Sequence, residues 1–357
     1  MEEKKFWICA NLAGLGSARV KKLLGAYGSI DKIFQIGLSE LQKAGVPQNT
    51  ARKIEQWQRL PWKEEIELCR KEDVRIITME DTEYPVLLKE IYDPPYMLYV
   101  KGNIPRTDKM LAVVGTRNPS LYGIRMAEKL AMELAYYGFV IVSGLARGID
   151  TAAHRGALKA KGPTVGVLGS GFNNFYPLEN LKISEDIKKI GAVITEFNFS
   201  ARPESVHFPI RNRIVSGMSK GVLVIEAGQK SGALITASWA AEQGREVFAL
   251  PGQVDNVFSK GVNRLLKEGA MLVENIQDIL DAFNLEMKKI PCMTEQKEVV
   301  LSENERKIME ITSQKNIHVE EIIALTGLSP TEISNSLFSL VMKGLLVELP
   351  GKIYVKK

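Results

Sequence analysis

Between residues 110 and 251 six short runs are apolar at nearly every position. They are MLAVVG (110–115), FVIVSG (139–144), TVGVLG (164–169), AVITEF (192–197), GVLVIEA (221–227) and EVFALP (246–251). Segments with helical periodicity fill most of the gaps, YGIRMAEKLAMELAYYG and LITASWAAEQG among them. A half-exposed strand alternates apolar and polar positions; these runs do not, so both of their faces must be covered. The pattern predicts an α/β domain with a doubly wound, mostly parallel sheet and ligands at the carboxyl ends of its strands.

The flanks read differently. Residues 1–65 form a predicted helical domain. LAGLGSARVKKLLGAYGS carries a hydrophobic–Gly–hydrophobic–Gly turn at Ala13–Gly16, then an amphipathic helix bearing Arg19, Lys21 and Lys22. This resembles a helix-hairpin-helix or SAM-like module, and AGVPQNTARKIEQW reads as a degenerate second copy. Two roles stand open for it: phosphate binding through the turn amides, or a protein contact with a solvated basic face. The sheet domain is expected over 66–285 and a linker over 286–300, where periodicity lapses. Residues 301–357 give three helices and a terminal hairpin turning at Pro350–Gly351, a winged-helix pattern. Its third helix offers Thr331, Glu332, Ser334, Asn335 and Ser336, with Lys343 only at its end. A helix that enters a phosphate-lined groove needs more positive charge, so a protein contact is the favoured expectation.

Charge sharpens this division. The chain of 357 residues has a formal net charge of +5. Residues 1–60 hold ten Lys/Arg against five Asp/Glu; residues 61–300 balance at thirty of each, and 301–357 at seven of each. An anion site in the central domain must therefore be a local cluster rather than a general field. No apolar run is long enough to span a membrane, and MEEKKFWICANLAGLG lacks the order of a signal peptide, so a cytoplasmic protein is expected. Cys9, Cys69 and Cys292 are far apart, which disfavours disulfides and a zinc site. No metal or other cofactor is expected.

Four loops follow successive strands: GTRNPSLYG (115–123), SGLARGID (143–150), GSGFNNFYP (169–177) and EAGQKSGALITA (226–237). Glycine lets backbone approach a ligand, and the helix N-terminus beyond it favours an anion. The candidate phosphate contacts are Gly115, Thr116, Arg117, Ser143, Gly144, Arg147, Gly148, Gly169, Gly171, Lys230, Ser231 and Gly232. FPIRNRIVSG (208–217) adds Phe208, a candidate base-stacking ring, with Arg211, Asn212 and Arg213. Two residues apart on a helix is about 200°, so one arginine should face the site while the other makes a structural ion pair. Neither G-x-G-x-x-G nor G-x-x-x-x-G-K-[ST] occurs, which disfavours an ordinary NAD site or ATPase loop.

Asp150 and His154 share a helix face directly after the second loop. A carboxylate in the first turn caps backbone amides, and a histidine one turn on can donate to the same loop. Asp150, His154 and Glu226 are read as loop supports, and no catalytic residue is assigned.

These segments, in this order, resemble the DNA-processing protein A family (DprA, also called Smf). The resemblance runs from EYPVLLKEIYDPPYMLYVKGN (83–103) through VVGTRNPSLYG, VSGLARGIDTAAHRGAL, VLGSGFNNFYP, FPIRNRIVSG and EAGQKSGALITASWAAEQGREVFALPG to GVNRLLKEGAMLVEN (261–275). Asn118, Thr195 and Val262 depart from residues common in the family. The resemblance implies a Rossmann-like domain that binds single-stranded DNA, forms a homodimer, and hands the strand to the RecA recombinase while protecting incoming DNA in natural transformation. It places family DNA contacts on Arg117, the Phe208–Arg211 segment and Lys230. The alternative is a nucleoside monophosphate phosphoribohydrolase on a related fold. Its P-G-G-x-G-T-x-x-E signature is missing, and it would rest on Glu226, Asp150 and His154 alone.

Overall fold

The computed structural model describes residues 2–286, 301–312, 317–349 and 351–356, which form two compact units divided near residue 288. The expected linker therefore lies, apart from its first residue, outside the described residues, as does Pro350 of the expected hairpin turn.

The first unit opens with six helices: α1 (Lys5–Ala13), α2 (Ser17–Tyr27), α3 (Ile30–Ile33), α4 (Leu38–Lys43), α5 (Gln48–Glu55) and α6 (Trp62–Lys71). The turns α1–α2 and α4–α5 repeat one geometry. Gly14 and Gly45 are left-handed, at φ +77° and +90°. In each turn the next amide closes back on the helix before it, Leu15 N to Ala10 O and Val46 N to Leu41 O, both at 3.0 Å. The second copy read from AGVPQNTARKIEQW thus has the turn of the first.

The sheet follows as β1 (Arg75–Thr78), α7 (Val86–Glu90), β2 (Met97–Gly102), β3 (Met110–Gly115), α8 (Leu121–Tyr136), β4 (Val140–Ser143), α9 (Ile149–Lys159), β5 (Thr164–Val167), α10 (Leu181–Ile190), β6 (Ala192–Thr195), α11 (His207–Gly217), β7 (Gly221–Ile225), α12 (Gly232–Glu242), β8 (Glu246–Ala249), α13 (Lys260–Lys267), β9 (Met271–Leu272) and α14 (Ile276–Ala282). Its strand order is β1-β2-β6-β5-β4-β3-β7-β8-β9. The seven strands from β6 to β9 run parallel, while β2 and β1 add an antiparallel edge. All six apolar runs are strands of this sheet, and each is buried on both faces as their composition requires. In β3, Met110, Ala112 and Val114 enter the core under α11 and α12, while Leu111 and Val113 enter the core under α8 and α9.

The antiparallel edge couples the sheet to the helical layer. Leu98 and Val100 of β2 face the sheet core, whereas Met97 and Tyr99 pack with Trp7, Ile8, Leu23 and Ile54. Because the two share this core, residues 1–288 are one compact unit. The chain leaves β3 for β4, β5 and β6 on one side and returns to place β7 on the other. That reversal opens a crevice at the carboxyl ends of β3 and β7.

The second unit contains α15 (Glu303–Thr312), β10 (Ile317–His318), α16 (Val319–Thr326), α17 (Pro330–Met342), β11 (Leu346–Leu349) and β12 (Ile353–Lys356). Ile308, Ile322, Ile333, Leu337, Leu340 and Tyr354 fill its core beneath a three-stranded antiparallel sheet, the winged-helix arrangement. Ser329 and Glu332 form a capping box that starts α17 after the break at Gly327. Among the described residues no helix is long and apolar enough to cross a membrane.

Candidate nucleic-acid interface

The crevice predicted by the strand reversal is a cleft of about 760 Å³. Gly115, Thr116 and Arg117 supply one wall from the end of β3, and Gly144, Ala146 and Asp150 supply the next from the loop after β4. Phe208, Arg211 and Asn212 come from α11, while Lys230, Ser231 and Gly232 open α12. Arg117 and Lys230 are exposed at their loop tips. The Ser231 hydroxyl caps α12 by accepting from Ala233 N at 3.3 Å, and it turns that positive helix end toward the cleft.

The loop after β4 is held by a buried polar lattice. Asp150 Oδ2 accepts from Gly144 N at 3.0 Å and from Ala146 N at 3.4 Å. Asn180 donates to Leu145 O at 2.8 Å and to Ala146 O at 3.1 Å, and Thr151 Oγ1 donates to Ala146 O at 2.7 Å. Two glycines make the approach possible. A Cβ at Gly144 would lie 2.5 Å from an Arg211 nitrogen, and Gly148, at φ +77°, would place one 2.4 Å from Thr116 O. Burial pushes the Asp150 carboxyl up against the opposing pull of Arg211 and the two loop amides.

Arg211 and Arg213 part ways as their spacing demands. Arg211 lines the cleft, yet its side chain is buried: Nη1 donates to Gly144 O and Val167 O, and Nε donates to Asn212 Oδ1 at 3.1 Å. Burial, opposed by Asp150, lowers its guanidinium to about 10. It remains a cation at neutral pH and joins the ends of β4 and β5. Arg213, expected among the phosphate contacts, is instead bound to Glu196 Oε2 at 2.6 Å and Asp93 Oδ2 at 3.3 Å, away from the cleft.

Three other expected contacts, Ser143, Gly169 and Gly171, sit at packing positions. Ser143 is fully buried and its hydroxyl donates to Val113 O at 2.7 Å. Gly169 lies under the Phe208 ring, and Gly171 packs on the backbone of Asn198 and Phe199. Arg147 pairs with Glu179 beside a smaller recess.

His154 does not support the loop by a hydrogen bond. Thr164 gives its hydroxyl proton to Ile141 O, so it accepts from His154 Nδ1 at 2.7 Å; Nε2 is buried and has no partner among the described residues. Burial and Arg211 push the imidazole down to about 3, so it is neutral. Glu226 accepts from Ser120 N at 2.8 Å and from the Ser120 hydroxyl, which fixes the start of α8. Among the described residues no three His, Cys, Asp or Glu side chains group as metal ligands.

Sequence reasoning missed Asn180, which holds a loop 35 residues away in the chain, Thr151, whose hydroxyl joins that loop to Asn180, and Tyr176, whose ring lies 5.9 Å from that of Phe208. The Arg117 guanidinium lies over the Phe208 ring, 5.1 Å from its centroid.

Known proteins resemble this chain in sequence and fold. The family described as DNA recombination-mediator protein A matches residues 75–284, and the DprA winged helix domain matches residues 294–352. Protein Smf of Escherichia coli is 34% identical over 367 residues, covering 98% of this chain and 95% of that protein. DNA processing protein DprA of Bacillus subtilis is 42% identical over 214 residues, 59% of this chain and 72% of its own. The crystal structure of DprA from Streptococcus pneumoniae aligns with TM-score 0.68 at 34% identity, over 80% of this chain and 99% of that one. DprA from Helicobacter pylori, whose structure was described for its single-stranded DNA binding mode, aligns with TM-score 0.53 at 32% identity, over 59% and 96%. With its sheet domain and its winged helix both matched, the chain belongs to the DNA recombination-mediator protein A family, known as DprA or Smf.

Proposed function

We propose that the chain binds single-stranded DNA in the cleft and acts as a recombination mediator, protecting incoming strands and passing them to RecA during natural transformation. The observation that carries this reading is the convergence of Arg117, Lys230 and the α12 N-terminus around a half-buried phenylalanine. Cations with an adjacent aromatic ring suit a flexible strand, whose phosphates and bases both need partners. The handover to RecA and the cytoplasmic setting rest on family membership. The homodimer likewise rests on family membership.

The function is binding rather than catalysis: Asp150, His154 and Glu226 each serve the fold in the hydrogen bonds described above. The helical layer supplies a further DNA contact, with its basic excess and two like turns, and the winged helix supplies a protein contact. Titration of single-stranded and duplex oligonucleotides of equal length, across salt concentrations, tests the central claim. Tighter binding of duplex at every salt concentration would overturn it.

A further inference from the structure

The loop after β8 is a wall of two spaces. Val257 and Phe258 line the cleft, whereas residues between 250 and 256 close a second space of about 580 Å³ against the start of α8. We propose that this second space is a protein-docking site, which takes an arginine side chain from a partner segment and covers the apolar residues beside that arginine.

Its charge is opposite to that of the cleft. Among the described residues that line it none is Lys or Arg, and Glu226 is the one carboxylate. A DNA phosphate is therefore repelled here, and a cation is drawn in. Glu226 accepts from Ser120 through both of its oxygens, and a carboxylate has about four acceptor sites, so capacity remains. Its backbone stands at φ +49°, a strained region for a glutamate and one that collects at ligand sites. Ser259 also lines the space. It is 2% exposed, yet its hydroxyl makes no hydrogen bond among the described residues. A Cβ at Gly252 would stand 2.2 Å from that hydroxyl, so the glycine leaves it room. The wall is fixed in advance, because Asn263 accepts from Gly252 N at 3.2 Å and donates to Gly252 O at 2.9 Å. A guanidinium brings five donors in one plane, enough for a carboxylate and a hydroxyl together.

The rim calls for a chain segment rather than a free amine. Leu121 is 81% and Val254 87% exposed, and Tyr122 and Val257 are exposed on the same helix start and loop. A free amine would leave these side chains in water. A segment with apolar residues on either side of its arginine buries them, the usual make-up of an interface anchor. Spaces of this size hold ligands larger than one side chain, so a neighbour of the arginine enters with it.

The test titrates the full-length protein, without DNA, with three probes. These are a seven-residue peptide with one central arginine between leucines, the same peptide with citrulline in place of arginine, and N-acetylarginine amide. The arginine peptide should bind about tenfold more tightly than the citrulline peptide. It should exceed the amino-acid amide by about the same factor, through the leucines that meet the rim. Glu226→Gln should erase the first margin, and Leu121→Ser should shrink the second. Ser259→Ala should weaken the arginine peptide with melting unchanged, which keeps the test open should the Glu226 variant fail to fold. Equal affinity for the arginine and citrulline peptides would overturn the site, as would arginine-peptide binding that Ser259→Ala and Leu121→Ser both leave intact. Equal affinity for peptide and amide would reveal a small-cation site and overturn the protein segment. Failure of the arginine peptide to bind would end the proposal outright.

Discussion

Residues 61–300 and residues 301–357 are both charge-balanced, at thirty against thirty and seven against seven, yet they dispose of their cations in different ways. In the first region the parallel sheet gathers loop tips from distant parts of the chain at one edge. Arg117 and Lys230 arrive there without an ion pair among the described residues. In the second region the cation at the end of α17, Lys343, is bound to Glu305 at 2.6 Å. Burial would raise the Glu305 carboxyl, but hydrogen bonds from Lys343, Ser339 and the Ser302 amide outweigh it and hold it down to about 2. The exposed face of α17 presents Thr331, Ser334, Asn335 and Phe338, the last 69% exposed. Equal net charge therefore conceals one surface ready for an anion and another whose face suits a protein partner. What distinguishes them is convergence, which only the topology supplies.

Four measurements would break or sharpen this contrast. The largest effect should come from Arg211→Ala. It strips the Gly144 and Val167 carbonyls of their donor and leaves Asp150 without its cation, so unfolding free energy should fall by about 3–5 kcal/mol. Arg213→Ala should cost stability on the same scale. In DNA titrations, however, the Arg213 variant that remains folded should bind normally. Denaturant melts with parallel titrations check both variants, and an Arg211 variant of full stability would refute its bridging role.

Next come Arg117→Ala and Lys230→Ala, which should each weaken single-stranded DNA about ten- to a hundredfold with melting unchanged, as expected for charge-assisted hydrogen bonds worth roughly 1.5–3 kcal/mol. Lys343→Ala, the counterpart in the winged helix, should leave affinity alone. Loss of affinity there would erase the distinction between the regions.

His154 gives the third test. Its folded value, about 3, lies below its unfolded value near 6.5, so the unfolded chain takes up a proton first as pH falls. Stability is retained above about pH 6.5 and declines below it. Between pH 7 and pH 5 the loss should be about 2 kcal/mol. His154→Gln should remove that slope relative to wild type in pH-dependent melts, and parallel curves would show that the imidazole is not buried neutral. The smallest effect should follow removal of residues 301–357, with single-strand affinity within a few-fold of the intact chain. A large loss in the same titration would place DNA on the winged helix.

The helical layer calls for substitutions rather than truncation. Its core includes Tyr96, Met97 and Tyr99 of the sheet unit, so deleting residues 1–60 would uncover that face. Charge reversal at Lys21, Arg52 and Lys53, all exposed, leaves the core intact. Each phosphate contact removed should reduce the log–log salt slope by about 0.7 on single strands. An unchanged slope would make the layer a protein contact instead.

Much of this molecule is legible without coordinates. Short, β-branched-rich apolar runs that do not alternate and are spaced by helical segments read as strands covered on both faces, so six strands, their parallel pairing and the edge that carries ligands are legible in the local pattern. The glycine-bearing loops follow too, as does the divergence of Arg211 and Arg213, because a helix turns about 100° per residue. Tertiary structure decided the rest. β1 and β2 are short segments whose antiparallel pairing depends on partners far along the chain, and β9 has two residues. Which arginine faces the cleft depends on the side of the sheet against which α11 packs. His154 bonds Thr164 rather than its neighbouring loop because α9 lies against β5. The smaller recess exists only where Tyr176, Phe208 and Asn118 meet, from two loops and the first turn of α11, whose separation in sequence hides their meeting. Periodicity records how each segment meets solvent and core, and contacts between segments leave no periodic trace.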